Sequence, residues 1–410
     1  MKVLYLHQHF TTPSGSTGTR SYEFSRALLK RGHSVTIVCG SHHLAKTGLT
    51  GDYKKHIRRG FIHTPEGQIE IIEINQPYSN HDGFVTRSLK FLKFSMRAIK
   101  LILTEKYDLL YATTTPLTIG IPAMAAKLFK NKKYIFEVRD LWPELPKAMG
   151  VIRNPVILKS MSVLEFGSYR LAKHCVGLSP GICEGIMKRG VKKHAVTLIS
   201  NGCDENFLNK TKNLNKPAGF NPDDFIAVFT GAHGEANGLA VLLDVARELK
   251  ILNIKNIKIL LIGDGKEKSK LIKTAQEEDL NNLIFWDPVP KVELENILQQ
   301  VDLGLMILKN IPAFYYGTSP NKFFDYIASG LPVLVNYPGW LADLINQNHC
   351  GVAVPPDDGK IFAQELIKLS EDKNLLKNMG ESARDLAQRE FSREVLAGKF
   401  VDCLERISHA

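Results

Sequence analysis

The sequence predicts an α/β protein of two domains, each built around a parallel β-sheet. A buried strand, a glycine-containing loop and a helix follow one another over residues 2–31, and the same order recurs over residues 225–250. Repeats of this kind are typical of parallel sheets covered by helices. The length of 410 residues also exceeds what one hydrophobic core usually holds, so two domains are expected.

The composition is that of an ordinary globular protein, with 44% hydrophobic and 23% charged residues. No early stretch has the blocks of a signal peptide, and no apolar run approaches the ~18 residues that span a bilayer. We therefore expect a cytoplasmic protein. The cysteines are scattered without a CxxC pair, which favours buried free thiols over a zinc site or disulfides: Cys39, Cys175, Cys183, Cys203, Cys350 and Cys403.

The positive charge is concentrated in the first half of the chain. Residues 1–200 hold 30 Lys and Arg against 13 Asp and Glu, whereas residues 201–410 hold 23 against 29. This asymmetry predicts a polyanionic partner for the first half, either an anionic membrane or nucleic acid. The sequence has no interleaved aromatic pattern, helix-turn-helix or zinc-finger spacing, so nucleic acid is disfavoured.

The first repeat begins with a strand at residues 2–6, a loop at residues 7–20 and a helix at residues 21–31, before a strand at residues 35–39. The loop glycines permit close approach of a ligand, and Thr19 and Arg20 stand at the helix entrance where an anion is favoured. The glycines do not follow the GxGxxG spacing and no acidic residue ends the second strand, which argues against a nicotinamide-dependent dehydrogenase.

Residues 41–67 are polar and basic with weak periodicity, and they predict a mobile excursion outside the core. A short strand follows at residues 70–74, and then a basic helix at residues 84–103. The helix is either a core helix with a solvated basic face or a helix that rests on an anionic membrane, and the two interpretations are compatible. Its membrane-facing candidates recur at helical spacing: Arg87, Lys90, Lys93, Arg97 and Lys100.

The next strands predict the first part of a ligand site. A strand at residues 134–138 leads directly into Arg139 and Asp140. Ligands of open α/β sheets bind at the carboxyl ends of parallel strands, so both side chains are site candidates, although a local salt bridge is the plain alternative. His174 lies on a later strand and is interpreted as structural.

The second repeat continues as strands at residues 225–229, 258–262, 284–286, 301–308 and 351–354. Residues 317–336 then read as a polar loop, a short helix and a buried strand. Ser319 is predicted to cap the helix, with Pro320 in its first turn. Free backbone N–H groups at this end suit a diphosphate, Lys322 adds a charge, and Asp325 offers a carboxylate to sugar hydroxyls. An ordinary capped helix with solvated charges remains the alternative.

Two stretches carry a resemblance to a known family. Residues 319–333, SPNKFFDYIASGLPV, and residues 136–144, FEVRDLWPE, resemble retaining glycosyltransferases of the two-domain GT-B type, family four, near the N-acetyl-fucosamine transferase-like branch. The resemblance implies two Rossmann-like domains that face each other across a cleft. The implied divisions are residues 1–204, a linker at 205–224, a nucleotide-sugar domain at 225–390, and a C-terminal helix at 391–410 that returns to the first domain.

The resemblance also implies roles for particular residues. It offers the catalytic role to Asp140, with Arg139 and the weaker candidate Glu144. It implies a cleft loop of Gly15, Ser16, Gly18, Thr19 and Arg20. It implies a donor site of Gly231, His233, Gly234, Asn237, Gly238, Gly263, Val289, Ser319, Asn321, Lys322 and Asp325. The chain departs from the family where an acidic residue is replaced by Gly317 and where two cations are replaced by Ala232 and Asn237.

The implied activity is transfer, with retained configuration, of an N-acetylated sugar such as N-acetyl-fucosamine from a UDP-sugar. The implied acceptor is a polyprenyl-diphosphate-linked saccharide of O-antigen or capsule assembly, at the inner face of the plasma membrane. No metal is implied, because no Asp-x-Asp pair is placed to hold one. Two alternatives stay open: a sugar-nucleotide 2-epimerase of the same fold, and a non-catalytic peripheral membrane scaffold.

Overall fold

The structure is a computed structural model that describes residues 1–15, 18–41, 46–77, 83–208 and 215–409. The chain divides into two compact units. Unit 1 comprises Met1–Ser200, Gly317–Ser319 and Glu394–Ala410, and unit 2 comprises Asn201–Tyr316 and Pro320–Arg393.

Unit 1 is built on an eight-stranded sheet in the order β3-β4-β2-β1-β5-β6-β7-β8. All neighbouring strands are parallel except β3 and β4, which form an antiparallel pair. The strands are β1 Lys2–Leu6, β2 Ser34–Gly40, β3 Ile57–Thr64, β4 Gly67–Ile74, β5 Leu109–Thr113, β6 Lys133–Val138, β7 His174–Gly177 and β8 Val196–Leu198.

Helices cover both faces of this sheet. They are α1 Arg20–Lys30, α2 Phe84–Thr104, α3 Gly120–Lys130, α4 Glu144–Ala148, α5 Pro155–Leu171, α6 Pro180–Lys188 and α16 Arg393–His409. Phe94 of α2 and Ala123 of α3 belong to one buried cluster. Phe24 of α1 and Phe400 of α16 belong to the other and stack with their ring centroids 4.2 Å apart. The C-terminal helix is therefore part of the core of unit 1.

The prediction of a mobile excursion over residues 41–67 is wrong for residues 57–67, which belong to a β-hairpin. Residues 57–64 form β3, which pairs with β4 along its whole length. Acidic side chains of β4 neutralise its basic residues, since Arg58 contacts Glu73 at 2.9 Å and Arg59 contacts Glu70 at 2.6 Å. The charges that suggested a solvated loop are partners across a hairpin.

Unit 2 is built on a six-stranded, fully parallel sheet in the order β11-β10-β9-β12-β13-β14. This is the strand order of a doubly wound Rossmann-type sheet. The strands are β9 Phe225–Thr230, β10 Ile257–Ile262, β11 Leu283–Trp286, β12 Leu303–Met306, β13 Val333–Val335 and β14 Gly351–Ala353. The helices are α7 Glu205–Leu208, α8 Val241–Ile251, α9 Lys268–Glu277, α10 Lys291–Leu298, α11 Pro312–Gly317, α12 Asn321–Ala328, α13 Trp340–Gln347, α14 Gly359–Glu371 and α15 Lys373–Glu390.

The helix α12 confirms the predicted pattern but not its cap. Phe323, Phe324 and Ile327 are fully buried. Gly330, at φ +69°, follows the helix in the left-handed conformation that glycine adopts without strain. Pro320 occupies the N-cap position, however, and no side chain caps the helix, so the prediction that Ser319 caps it is wrong. With Pro320 outside the first turn, the helix begins at Asn321.

The cysteines agree with the prediction from their spacing. All six are free thiols, and all but Cys183 are buried. Among the described residues, none of the helices combines the length and apolar character needed to cross a bilayer.

Candidate functional site

The site in unit 2 begins where β9 and β10 end side by side. A side chain on Gly263 would place its Cβ 1.8 Å from the carbonyl oxygen of Gly231, so the two segments approach as closely as they do only because Gly263 has none. The same holds for Gly265, whose Cβ would lie 2.5 Å from the carbonyl oxygen of His233. The backbone N–H of His233 donates to the carbonyl of Asp264 at 2.8 Å. The glycines thus hold two loops together at the carboxyl edge of the sheet, where ligands of such sheets bind.

Lys322 projects from the first turn of α12 toward this edge. Its ammonium lies 3.6 Å from the ring centroid of Phe229, the penultimate residue of β9. A Cβ on Gly231 would be 3.3 Å from the same Nζ atom. No described residue gives Lys322 a carboxylate or hydrogen-bond partner, and burial lowers its pKa from 10.5 to about 7. A cation without an acidic partner beside a glycine loop and a helix N-terminus is suited to an anionic ligand.

Tyr326 sets the position of Lys322. Its fully buried hydroxyl accepts the backbone N–H of Thr230 at 2.9 Å and lies 3.1 Å from the Thr230 hydroxyl. The ring packs directly on Gly304 of β12, where a Cβ would approach it to 2.5 Å. Tyr326 therefore fixes α12 against the end of β9, with Lys322 one turn earlier on the same helix.

Asp325 is the second charged group on α12. Burial raises the pKa of its carboxyl group from 3.8 to about 6, and the positive charge of Lys291 opposes this shift. Lys291 begins α10, and it and Arg393 form ion pairs with Asp204 at 2.7 and 2.9 Å rather than with Asp325. No hydrogen bond to the Asp325 carboxylate is found within the described ranges. Its oxygens are therefore available to accept hydrogen bonds from a ligand.

The loop that follows β9 differs from what the sequence suggested. The Asn237 amide donates to the carbonyl of Ala232 at 2.7 Å, so it closes the loop on itself instead of facing a ligand. Gly238, at φ +59°, packs against the backbone of Lys309, where a Cβ would come within 2.7 Å. Gly234 stands in an open part of the same loop, where a Cβ would meet nothing within 4 Å.

His233 is buried beneath the loop, and neither of its ring nitrogens has a hydrogen-bond partner among the described residues. Burial first, and then the charges of Lys268 and Lys322, lower its pKa from 6.5 to about 4, so the imidazole is neutral near pH 7. His233 is enclosed, so a direct bond to a ligand requires its ring to leave this position.

Lys268 is a residue that the sequence reasoning missed. Its ammonium donates to the carbonyls of Gly263 at 2.9 Å and Trp286 at 3.1 Å, and it pairs with Asp287 at 2.7 Å. It thereby ties the end of β10 to the end of β11, just before Val289, which packs partly buried against the core. Asn321 is exposed at the start of α12, and Ser319 is partly exposed two residues earlier.

Unit 1 has its own group of polar residues at the carboxyl edge of its sheet. Asp140 follows β6, and its carboxylate accepts the Thr115 hydroxyl at 3.0 Å. Burial raises the pKa of Asp140, although Arg139 beside it acts in the opposite direction. Among the described residues Arg139 forms no ion pair with Asp140, so the salt-bridge alternative is wrong. The Arg139 backbone N–H donates to the Thr114 hydroxyl at 2.9 Å. Glu144 is exposed at the start of α4, 3.7 Å from Arg189.

Arg20, which was predicted from the sequence to bind an anionic ligand, uses its guanidinium group in hydrogen bonds within the protein. Its guanidinium pairs with the buried Glu137 at 2.8 Å, donates to the carbonyl of Ile199 at 2.7 Å, and contacts the carbonyl of Ser200. Glu137 also accepts the hydroxyl of Tyr111 at 2.8 Å. Arg20 therefore joins the start of α1 to β6 and to the segment after β8, and a role in phosphate binding is not supported.

The rest of the predicted cleft loop is placed as follows. The backbone N–H of Gly15 donates to the carbonyl of Thr12 at 3.0 Å. Gly18 and Thr19 lead into α1, where Thr19 takes the N-cap position without a side-chain cap. Ser16 lies outside the described residues.

The structure also brings His7 and His9 to this edge of the sheet, immediately after β1. His7 is buried with Nδ1 2.7 Å from the Ser21 hydroxyl, and burial lowers its pKa well below the usual value. The same signal that singled out Arg139 and Asp140, a polar residue directly after a parallel strand, applies to both histidines. His174 is buried away from such an edge, with Nε2 2.8 Å from the Thr197 hydroxyl, as a structural residue would be.

Two protein-family models match the chain, one in each half. Residues 17–207 match the model described as Glycosyltransferase Family 4, and residues 210–386 match the model described as Glycosyl transferases group 1. Among curated relatives, the amylovoran biosynthesis glycosyltransferase AmsK of Erwinia amylovora is 24% identical over 52% of this chain and 54% of its own length. The colanic acid biosynthesis protein WcaL of Escherichia coli is 24% identical over 42% of this chain and 43% of its own. The matches thus span about half of these relatives.

Solved structures match over nearly the whole chain. Sucrose-phosphate synthase from Thermosynechococcus elongatus superposes with a TM-score of 0.71 at 16% identity, covering 99% of this chain and 98% of that one. Anabaena HepE in complex with UDP superposes with a TM-score of 0.67 at 16% identity, covering 99% and 100%. At these identities the likeness shows the fold. It confirms the predicted two-domain α/β fold of the GT-B type.

Proposed function

We propose that this chain, whose halves match the models of the family 4 and group 1 glycosyltransferases, transfers a sugar from a nucleotide-sugar donor to an acceptor hydroxyl group. The observation that carries the proposal is the ammonium of Lys322, which stands beside Gly231 and the ring of Phe229 without an acidic partner in the described chain. A half-buried cation is costly to keep unpaired, and a diphosphate supplies the missing counter-charge. Unit 2 is then the donor-binding unit.

The donor diphosphate rests on three groups in this proposal. Backbone N–H groups at the start of α12 and of the Gly231 loop donate to its oxygens, and the Lys322 ammonium neutralises part of its charge. As the bond to the sugar breaks, negative charge grows on the diphosphate, and the same fixed dipoles and cation stabilise it. Asp325 accepts hydrogen bonds from the ribose hydroxyls. These contacts compensate for the cations that are absent at Ala232 and Asn237.

Asp140 is the residue to which we assign the acceptor proton. Burial raises its pKa, so it is a stronger base than an exposed aspartate, and the Thr115 hydroxyl fixes its orientation. Glu144 is a weaker candidate because it is exposed and lies beside Arg189. Arg139, with no ion pair among the described residues, is placed to attract an anionic part of the acceptor.

The finer assignment is a UDP-linked, N-acetylated sugar such as N-acetyl-fucosamine. We propose that it is transferred with retained configuration to a polyprenyl-diphosphate-linked saccharide in O-antigen or capsule assembly, on the inner face of the plasma membrane. The relatives AmsK and WcaL are named for polysaccharide biosynthesis, and HepE was solved with UDP, which supports a UDP-sugar and a polysaccharide product.

A direct test incubates the full chain with a panel of radiolabelled UDP-sugars and a polyprenyl-diphosphate-linked saccharide. Labelled lipid product from one donor supports the proposal, and Asp140→Asn should abolish that product while UDP binding persists. Release of an isomerised sugar without acceptor would instead identify an epimerase. No turnover with any donor, together with no UDP binding, would leave the scaffold alternative.

A further inference from the structure

Three helices of unit 1 share an unusual surface. α2 packs against α3, and α3 packs against α5, so the three lie side by side. They hold ten of the eighteen exposed large hydrophobic residues among the described part of the chain, each 41–74% exposed. These residues are Val85, Leu89, Leu92, Met96, Leu128, Phe129, Val156, Ile157, Val163 and Phe166. Scattered apolar residues are normal on a protein surface, but such a concentration marks an interaction site.

The row on α2 is regular. Val85, Leu89, Leu92 and Met96 recur at spacings of four, three and four residues, which places them along one side of the helix. Phe94 and Leu101 occupy the opposite, buried side and pack in the core. The apolar row is therefore not needed for folding.

The charge on these helices has one sign. Across α2, α3 and α5 the sequence has nine Lys and Arg residues and a single carboxylate, Glu165. Glu165 is itself buried and pairs with Arg189 at 2.8 Å, so it contributes no negative charge to the surface. Five cations on the same three helices are exposed: Lys93, Lys100, Lys130, Lys159 and Arg170.

This distribution changes the sequence-based expectation for α2, which rested on its five cations alone. Arg97 donates to the carbonyl of Asn75 at 2.7 Å and to the Gln76 side chain, so it holds α2 to the segment after β4. Lys93 and Lys100 are exposed, whereas Arg87 and Lys90 are only partly so. The exposed apolar row is the feature that the sequence reasoning missed.

We propose that α2, α3 and α5 together form one membrane-docking face that binds an anionic lipid bilayer. The apolar side chains enter the boundary between head groups and acyl chains, and the cations beside them contact lipid phosphates. A soluble acidic partner would contact the cations, but it would not account for the ten exposed apolar side chains. This inference rests on the membrane location given in the proposed function and names the surface involved, and vesicle binding tests it separately from sugar transfer.

The first experiment is co-sedimentation of the full chain with phosphatidylcholine vesicles, with and without phosphatidylglycerol. Binding is expected only with the anionic lipid and should weaken with added salt. The double variants Leu89→Ser with Met96→Ser, and Val163→Ser with Phe166→Ser, should each lower the partition constant about tenfold or more, because each removes two inserting side chains. The matched control, Ile251→Ser with Leu252→Ser, removes two exposed apolar residues of unit 2 and should bind as the wild type does.

The charge is tested in the same way. Lys93→Gln with Lys100→Gln should reduce binding about tenfold or more, since each cation near an anionic surface contributes independently. The control variant Lys255→Gln with Lys270→Gln removes two exposed lysines of unit 2 and should bind the vesicles as the wild type does. A tryptophan introduced as Met96→Trp should shift its emission to shorter wavelength on anionic vesicles, while Ile251→Trp should not shift.

The variants of α2 and α5 alter exposed residues, so circular dichroism should show unchanged folding. Equal vesicle binding by wild type and serine variants would overturn the proposal. A second result would also overturn it: serine variants that still bind vesicles but sediment more slowly than the wild type in the absence of vesicles. The face would then be an interface between two copies of the chain.

Discussion

The ammonium of Lys322 lies over the ring of Phe229, 3.6 Å from its centroid, and no described carboxylate comes within ion-pair distance of it. The contact joins the start of α12 to the end of β9, the place where parallel α/β sheets bind phosphates. A cation there lowers the stability of the empty protein and raises the affinity for an anion. This relationship and the charged groups around it have measurable consequences.

The pKa of Lys322 predicts how UDP binding responds to pH. Burial lowers that pKa to about 7 in the free protein, and a bound diphosphate raises it again because it favours the charged form. Above pH 7, binding must therefore take up a proton, and the UDP affinity should fall by up to about tenfold per pH unit. Calorimetry at pH 8 in two buffers of different ionisation enthalpy measures the uptake. Lys322→Arg, which stays charged, should abolish it, and zero uptake by the wild type would refute the assignment.

The carboxylate of Asp325 predicts recognition of the ribose. Wild-type protein should bind UDP more tightly than 2′-deoxy-UDP, because a hydrogen bond to a charged acceptor contributes about 1.5–3 kcal/mol. Asp325→Asn should weaken UDP binding and remove most of this preference. The pKa of Asp325 is about 6 in the folded protein and 3.8 when exposed, so the free energy of unfolding falls as pH rises from about 4 to 6 and the carboxyl group ionises. Asp325→Asn, which carries no charge, should therefore be more stable than the wild type at pH 7. If both proteins discriminate equally between the two nucleotides, Asp325 does not contact the ribose.

The contact between Gly263 and Gly231 predicts a backbone requirement. Gly263→Ala would force a Cβ to within 1.8 Å of the Gly231 carbonyl at a φ of +155°, so the loops must separate. We expect a loss of about 1–3 kcal/mol in the free energy of unfolding, together with weaker UDP binding. Gly317→Ala is the matched control, since a Cβ there meets nothing within 4 Å. Unchanged affinity and stability in Gly263→Ala would show that the loops are free to move apart.

The ion pair between Arg20 and Glu137 predicts a structural role for a residue that the sequence assigned to ligand binding. Arg20→Met leaves the buried Glu137 carboxylate without its cation, which costs about 3–5 kcal/mol. UDP affinity at a temperature where the variant is folded should stay unchanged, because the Arg20 donors already bind protein oxygens. Urea denaturation and calorimetry measure the two effects. A selective loss of UDP binding with normal stability would restore the phosphate-binding role.

The parts of the fold that the sequence predicted are those with strong periodicity. The β1 strand and the buried face of α12 were visible as apolar residues, and the helix α2 was visible as cations that recur at helical spacing. The β3 strand was not, because its arginines are neutralised by Glu70 and Glu73 of the neighbouring strand, and that pairing is a tertiary contact. Spacing along one chain does not reveal a partner across a hairpin.

The candidate site was predictable in part for the same reason. Lys322 lies in the first turn of a predicted helix, Asp325 lies one turn further along it, and Asp140 follows a predicted strand. Their positions followed from the order of strands and helices. The contacts of Arg20 with Glu137 and of Asn237 with Ala232 could not be predicted. A side chain that binds another part of the protein looks the same in sequence as one that binds a ligand. The support that Lys268 gives to three groups needed coordinates as well.

The most direct test of the central claim is calorimetric titration of UDP into wild type, Lys322→Met and Lys368→Met. Among the described residues, the one ion pair of Lys368 is an exposed pair with Glu365 on α14, so Lys368 serves as the control. We predict that wild type and Lys368→Met bind UDP alike, and that Lys322→Met binds it about tenfold to hundredfold more weakly while melting at the same or a higher temperature. Equal affinity in all three proteins, or no UDP binding by the wild type, would contradict the account.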